Sequence, residues 1–288
     1  MHFLEIKWSP SETLIKIGDF GIHYYSLMFV IAFSVGYYIM KNIYKKEKVS
    51  IEYIEPLLLY VVISTLLGAR LGEVFFYNWD YYSNHLLEIF LPIREKEGAD
   101  FLFGIFKNYQ FIGFRGLASH GASIGIIFGL YLYQRKYKFK PLLWVLDRLS
   151  IPVSLGAGFV RIGNFFNSEI VGNYTGNNFG VVFVNRGDAL PRHPAQLYEA
   201  IGYIGLFFLL KYLYKNKTGN NGYLFGVFLS ILFFIRFIVE FVKESQGGFE
   251  AKLPLFSTGQ WLSLPLIIVG TFFVIRSIIN KSKESKET

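Results

Sequence analysis

Seven runs of about twenty apolar residues constrain this chain most, at about 20–41, 55–77, 117–134, 142–164, 195–214, 223–242 and 257–277. A bilayer's hydrocarbon core is about 30 Å thick, so a spanning helix needs about 20 such residues. Hydrophobic residues make up 52% of the chain and aromatics 19%, too apolar for a soluble domain of this size. In lipid every backbone polar group must be satisfied internally, which for runs of this length means helices. The predicted fold class is therefore an all-α integral membrane protein with seven transmembrane helices. The third run is the shortest, and Asp147, Arg148 and Pro152 interrupt the fourth. The longest gap, about 78–116, is too small for a soluble domain, so residues 1–288 are read as one polytopic membrane domain. The Lys/Glu/Ser tail at 281–288 is expected to be disordered. The first run is too long for a signal-peptide core and lacks a small-residue cleavage site after it, so it is read as retained.

The net charge of +8 does not point to nucleic acid, because its placement follows the runs. Lys41, Lys45, Lys46 and Lys48 follow the first, and Arg135, Lys136, Lys138 and Lys140 follow the third. Lys211, Lys215 and Lys217 follow the fifth, and Arg276, Lys281, Lys283 and Lys286 the seventh. Excess Lys and Arg marks the cytoplasmic side. The N-terminus is thus expected outside and the C-terminus in the cytoplasm, with an odd number of spans. The chain has no cysteine, which excludes disulfides, thiolate metal sites and a cysteine nucleophile of its own. One half shows no convincing repeat of the other, which weakens an inverted-repeat transporter reading.

Against this apolar background, Arg161-Ile-Gly-Asn-Phe-Phe-Asn-Ser-Glu-Ile-Val-Gly172 stands out. Charged groups at the centre of a spanning helix cost roughly 2.5–3.5 kcal/mol on insertion scales. An arginine, two asparagines and a glutamate at a membrane boundary therefore suggest a site. The predicted topology puts other polar residues at the same outer depth. They are His23, Tyr24 and Tyr25 on the first span, His120 on the third, Arg192, His193, Gln196, Tyr198 and Glu199 at the fifth, and Arg236 with Glu240 on the sixth.

Several polar features have an architectural reading. Gly121, Gly125 and Gly129 repeat every four residues, the small-xxx-small pattern of close helix packing. Asp147 and Arg148, near the cytoplasmic end of the fourth span, read as structural. Arg70 with Glu73, and Arg236 with Glu240 one turn apart on one face, read equally as intramembrane ion pairs or as functional groups. His193-Pro194 looks like a helix start.

The remaining constellation suits an anionic lipid headgroup. A guanidinium fork matches phosphate oxygens bidentately and stays charged, so Arg161 and Arg236 are candidate phosphate ligands. Asparagines can fix headgroup hydroxyls, and a histidine can take a proton near neutral pH. The sequence contains no G-x-S-x-G, no HExxH and no carboxylate pair with metal spacing. The expected chemistry is direct transfer from a phospholipid to an acceptor, with no cofactor, no metal and no covalent enzyme intermediate.

The segment Arg161-x-Gly163-Asn164-Phe165-x-Asn167-x-Glu169-x-x-Gly172 resembles the signature of the bacterial phosphatidylglycerol–prolipoprotein diacylglyceryl transferases. The resemblance continues through His23-Tyr24-Tyr25-Ser-Leu-Met28, Gly68-Ala-Arg70-Leu-Gly72, Gly116 to Ala122, Arg192-His193-Pro194-x-Gln196-Leu197-Tyr198-Glu199, Arg236 to Glu240 and Gly259-Gln260-x-Leu-Ser263. It departs at Val160, where the family commonly has Gly, at Ser119 and Ala122 around His120, and at Leu232, where a tyrosine is often found.

The resemblance implies seven spans, a small external head and a site near the outer leaflet of the bacterial cytoplasmic membrane. It implies transfer of the diacylglyceryl group of phosphatidylglycerol to the lipobox cysteine of a preprolipoprotein signal peptide, releasing glycerol phosphate. The nucleophile then arrives with the substrate, consistent with a chain lacking cysteine. On this reading His120, Arg161 and Arg236 are catalytic: the arginines clamp phosphate and His120 deprotonates the thiol. Tyr25, Asn164, Asn167, Glu169, Gly172 and Glu240 bind substrate, Gly172 by permitting a turn and Glu240 by orienting Arg236. The alternatives are an anion or phospholipid transporter, a non-catalytic scaffold, and a phosphatidylglycerol-dependent transferase with another acceptor. A transporter predicts charges along a whole transmembrane path, whereas here they crowd one end.

Overall fold

The computed structural model describes residues 5–11, 13–17, 20–102, 104–111, 118–216, 219–245 and 255–287. In chain order they form β1 (Glu5–Trp8), β2 (Thr13–Ile17), β3 (Phe20–His23), α1 (Tyr24–Lys46), α2 (Ile54–Phe76), α3 (Trp79–Tyr82), α4 (Leu86–Phe90), β4 (Ile93–Phe101) and β5 (Phe106–Phe111). There follow α5 (Ser119–Tyr137), α6 (Leu142–Phe166), β6 (Gly180–Phe183), α7 (Ala195–Lys215), α8 (Tyr223–Val239) and α9 (Thr258–Glu287). These residues group into two compact units, Met1–Val49 with Leu143–Thr288, and Ser50–Leu142.

Among the described residues, five helices are long and apolar enough to cross a membrane: Tyr24–Lys46, Ile51–Phe76, Leu142–Phe166, Ala195–Lys215 and Thr258–Ser282. The sixth apolar run also forms a helix, Tyr223–Val239, but a shorter one. The third forms α5, which opens on Ser-His-Gly and closes on Gln-Arg-Lys-Tyr. The chain is thus a mostly helical, multi-pass membrane protein. The first helix starts at Tyr24 rather than near residue 20, because Phe20–His23 pairs antiparallel with β2. The last helix runs on through Glu287, over the stretch expected to be a disordered tail. Lys and Glu are good helix formers, so composition alone does not stop it. Gly116, Leu117 and Lys217 lie outside the described residues.

In the larger unit, small residues let the helices approach. Gly163 on α6 faces Tyr25 of α1, where an added Cβ would stand 2.9 Å from the ring. On α7, a Cβ at Gly202 would stand 2.8 Å from Ile235 of α8, and Gly226 of α8 lies against the Gly270 carbonyl of α9. Polar crosslinks then pin one end. Asp147 of α6 accepts hydrogen bonds from the backbone N–H groups of Gly222 and Phe225, both at 2.8 Å, and so caps α8. Arg148 donates to both oxygens of Glu47 at 3.0 and 2.9 Å, and Trp144 adds a third bond at 3.1 Å. The architectural reading of Asp147 and Arg148 holds.

At the other end sits a small head. Strand β1 runs parallel to β6, and Trp8 packs tilted against Phe165 with its indole N–H donating to the Phe165 carbonyl at 3.0 Å. Phe165, Val171, Val181 and Phe183 form its buried core.

In the smaller unit, α2 and α5 cross through two matched stripes. Ser64, Gly68 and Gly72 face Gly129, Gly125 and Gly121, as the spacing of these glycines predicts. A Cβ at Gly121 would stand 2.2 Å from the Gly68 carbonyl oxygen, and one at Gly125 2.2 Å from that of Ser64. Arg70 is buried, bonding the carbonyls of Glu88 and Ile89 and lying over the Tyr82 ring, while Glu73 accepts from Asn78. Arg70 therefore anchors the α3–α4 segment, and among the described residues no ion pair joins it to Glu73. Gly125→Leu should drive the two helices apart. Overpacking costs about 1–3 kcal/mol, so the variant's melting temperature in detergent should fall by several degrees; an unchanged value would contradict the crossing.

Candidate functional site

The site of the larger unit is built where α6 stops. Arg161 lies on its last turns, and the chain then curls tightly. The Glu169 N–H bonds the Asn164 carbonyl at 3.1 Å, while Ser168 and Ile170 adopt φ of 53° and 58°. Left-handed backbone at non-glycine residues is costly and concentrates at functional sites. Its effect here is to fold Glu169 back onto the helix end. Asn164 donates to the Glu169 carboxylate at 2.6 Å and Asn167 does so at 3.4 Å. Arg161 donates to the Asn164 side-chain oxygen at 3.0 Å. Gln196 on the first turn of α7 donates to the Glu169 backbone carbonyl at 2.6 Å.

A second carboxylate completes the hold on Arg161. Glu199, fully buried on α7, approaches the Arg161 Nε to 2.5 Å. The same carboxylate lies 3.9 Å from the ammonium of Lys243, which pairs with Glu240 at 3.2 Å. Lys243 is itself buried, and desolvation holds its pKa below the usual lysine value. Glu199 and Glu240 oppose that shift, while Arg161 and Arg236 reinforce it. Both guanidiniums also bear on the hydroxyl of Tyr203, one turn beyond Glu199.

Arg236 differs from Arg161. Its Nε is buried and has no hydrogen-bond partner among the described residues, and no ion pair there joins it to Glu240. The expected Arg236–Glu240 pairing is thus replaced by Glu240–Lys243. The physical reason is that α8 ends at Val239 and tight turns follow, with the Val242 N–H bonding the Val239 carbonyl at 3.0 Å. These turns bring Lys243 back onto Glu240. Glu240 in turn packs against Gly259 on the first turn of α9, where a Cβ would stand 2.3 Å from its carboxylate oxygen. Gln260 donates to the Phe237 carbonyl at 3.3 Å, tying α9 to α8, while the Ser263 hydroxyl bonds back to the Gly259 carbonyl within α9 at 2.7 Å.

The other expected residues fall as follows. Tyr25 faces Gly163, with Glu169 and Arg161 among the charges around its hydroxyl. Gly172 does not use left-handed freedom, since its φ lies outside that region. It is a crossing point, where a Cβ would stand 2.6 Å from both the His193 and Val242 carbonyl oxygens. Arg192 belongs to the head. It pairs with Asp188 at 2.9 Å and Glu244 at 3.2 Å and lies over the Tyr174 ring. His193 pairs with the Tyr198 hydroxyl at 3.3 Å. His120 sits in the first turn of α5, in the other unit.

Sequence reasoning missed Lys243, Tyr203 and the central part played by Glu199. Lys243 carried a signal: a lysine directly after an apolar run, at the end where the charge pattern allows few. Glu199 lay within a quoted motif, but Tyr203 looked like any aromatic in a span.

Helices α1, α6, α7, α8 and α9 thus converge on a desolvated cluster of two arginines, a lysine and three carboxylates. The class so defined is a multi-pass membrane protein with a buried cluster of paired charges at one end of its helices. A family model described as prolipoprotein diacylglyceryl transferase matches residues 12–276, and the chain belongs to that family. It is 39% identical over 277 residues to a phosphatidylglycerol–prolipoprotein diacylglyceryl transferase of Tolumonas auensis, covering 96% of this chain and 99% of that one. A Bacteroides fragilis protein of the same name is 40% identical over 273 residues, covering 94% and 95%. One from Chloroherpeton thalassium is 39% identical over 275 residues, covering 95% and 94%.

Removing Glu199 leaves Arg161 and Lys243 without their shared counter-charge. Breaking a buried pair costs about 3–5 kcal/mol, so Glu199→Gln should lower the melting temperature in detergent markedly. Adding Lys243→Met should recover part of the loss. Additive losses would mean the two residues do not interact.

Proposed function

We propose that this chain transfers the diacylglyceryl group of phosphatidylglycerol to the cysteine thiol of a prolipoprotein lipobox, the first step of lipoprotein maturation. The site then faces the outer leaflet of a bacterial cytoplasmic membrane, with seven spans, an external N-terminus and a cytoplasmic C-terminus. One observation carries the local reading: a buried arginine nitrogen on Arg236 that has no hydrogen-bond partner among the described residues, while Arg161 is already fixed by Glu199 and Asn164. A phosphate oxygen satisfies that donor.

The proposed step is a displacement at the glyceryl carbon that carries the phosphate. The thiol loses its proton, a carbon–sulfur bond forms, and the carbon–oxygen bond to phosphate breaks. Glycerol phosphate leaves with the electron pair, so the phosphate goes from one negative charge towards two. Arg161 and Arg236 stabilise the more highly charged leaving group better than the bound lipid, which is what lowers a barrier. A free thiol has a pKa of about 8.5, so a base is needed at neutral pH, and His120 is assigned that part. Tyr25, Asn164 and Asn167 position the headgroup, and Glu169 fixes the two asparagines. Lys243 joins Glu199, the partner of Arg161, to Glu240.

The deciding assay uses purified protein in detergent with phosphatidylglycerol and a lipobox peptide carrying Cys or Ser. Glycerol phosphate release that needs the cysteine, with a diacylglyceryl-sized mass gain on the peptide, is expected. Lipid turnover without the thiol would mean a phospholipase or another acceptor, and bound lipid without turnover a transporter or scaffold. Arg161→Ala and Arg236→Ala should each lower kcat/KM by about 100-fold or more, the scale of losing one charge-stabilising donor. Full activity in either would sink the clamp. Lys243 gives a pH test. As pH rises through its lowered pKa, the ammonium loses its proton and both ion pairs, so activity falls on the alkaline side. Lys243→Arg, which stays charged, should move that alkaline limb upward, whereas Lys243→Met should lose activity at every pH. An unmoved limb in Lys243→Arg would assign it to another group.

A further inference from the structure

The larger unit has a pocket of about 320 Å³ between the C-terminal ends of α1 and α7, with Ile151 of α6 contributing. Lys211 on its rim is twelve residues beyond Glu199 on α7, about 18 Å along the helix at about 1.5 Å per residue. The pocket is therefore separate from the cluster around Arg161. Its floor is apolar, formed by Ile39, Ile43, Ile151 and Phe207. Its rim carries Lys46, Lys211 and Lys215, all exposed. The Lys46 ammonium lies 5.0 Å over the Tyr214 ring and that of Lys211 5.9 Å over Phe207, so both side chains fold along the walls. The acid nearest in sequence, Glu47, is taken by Arg148 and Trp144. Among the described residues none of the three lysines has an ion-pair partner.

An apolar trough between two spanning helices, closed at one end by three uncompensated ammonium groups, has the polarity of an anionic glycerophospholipid. We propose that this pocket binds one such lipid, an acyl chain on the floor and the phosphate among Lys46, Lys211 and Lys215. The lipid belongs to the leaflet opposite the one that supplies the reactive site. Juxtamembrane lysines attract anionic lipid, and basic pockets between spanning helices bind phospholipid headgroups. A free phosphate ion leaves the floor uncovered, which is why the occupant is a lipid. The lysine stems add to the trough's apolar walls while their charges stay at the water boundary.

The test is native mass spectrometry of the purified chain titrated with phosphatidylserine, an anionic lipid whose headgroup differs from the proposed substrate's. Phosphatidylcholine serves as the neutral control. The wild type should hold one phosphatidylserine at least about tenfold more tightly than phosphatidylcholine, and Lys46→Gln/Lys211→Gln/Lys215→Gln should lose that preference. Arg135→Gln/Lys136→Gln/Lys138→Gln removes equal charge from the other unit and should keep it. Transfer activity of the first triple variant should persist, since none of its residues belongs to the reactive site. The proposal is overturned by preference that survives the first triple variant or that the second abolishes equally. Loss of preference in Arg161→Ala, or displacement of the lipid by millimolar inorganic phosphate, would also overturn it.

Discussion

Arg161 is a permanent cation taken out of water at the end of a spanning helix, and the surrounding residues follow from neutralising it. One carboxylate at 2.5 Å supplies the counter-charge. A guanidinium has five donors in a fixed fork, so one partner is not enough. The Asn164 oxygen takes a second donor, and Asn164 is in turn held by Glu169. Glu169 reaches back only because the chain after α6 takes two left-handed residues. The strained loop, the paired asparagines and the buried Glu199 are thus successive answers to one desolvation problem.

The positions of these charges depend on backbones that approach closely. Gly163 admits Tyr25, Gly172 admits two carbonyls, and Gly259 admits the Glu240 carboxylate. At Gly163 a methyl group would displace the Tyr25 ring, and at the other two places a polar atom that has a partner. Lipid gives helices no hydrophobic reason to associate, so close packing and polar crosslinks must do it. At the opposite end, Asp147 caps α8 while Glu47 gathers Arg148 and Trp144. With both ends pinned, α6 and α8 have little freedom to slide, and Arg161 and Arg236 keep their depth.

Much of this was legible in the sequence because each feature is locally encoded. Apolar length gave the helices, the four-residue glycine period gave the α2–α5 crossing, and the excess polarity of 161–172 gave the site. The missed features depend on partners far along the chain. Strands β1 and β6 lie some 170 residues apart, and Phe20 to His23 read as the start of a span until its pairing with β2 was seen. Glu240 was assigned to Arg236 from helical spacing. Glu240 does keep that spacing, its N–H bonding the Arg236 carbonyl at 3.0 Å, but the turn after α8 brings Lys243 to its carboxylate. Lys243 is bracketed by Val242 and Glu244 and looks like an ordinary boundary lysine; its burial comes from Glu199, 44 positions away.

The cluster's charge balance accounts for the presence of the lysine. Arg161, Arg236 and Lys243 formally offset Glu169, Glu199 and Glu240, three against three. Without Lys243's proton the same groups carry a net negative charge, which opposes any phosphate entering beside Arg236. Desolvation pulls that proton off, and the two carboxylates hold it on. Its retention therefore depends on Glu199 and Glu240 staying in place. Glu199 is also the partner of Arg161, so the locked arginine and the lysine share one carboxylate. Among the described residues Arg236 is left as the arginine with an unused buried donor.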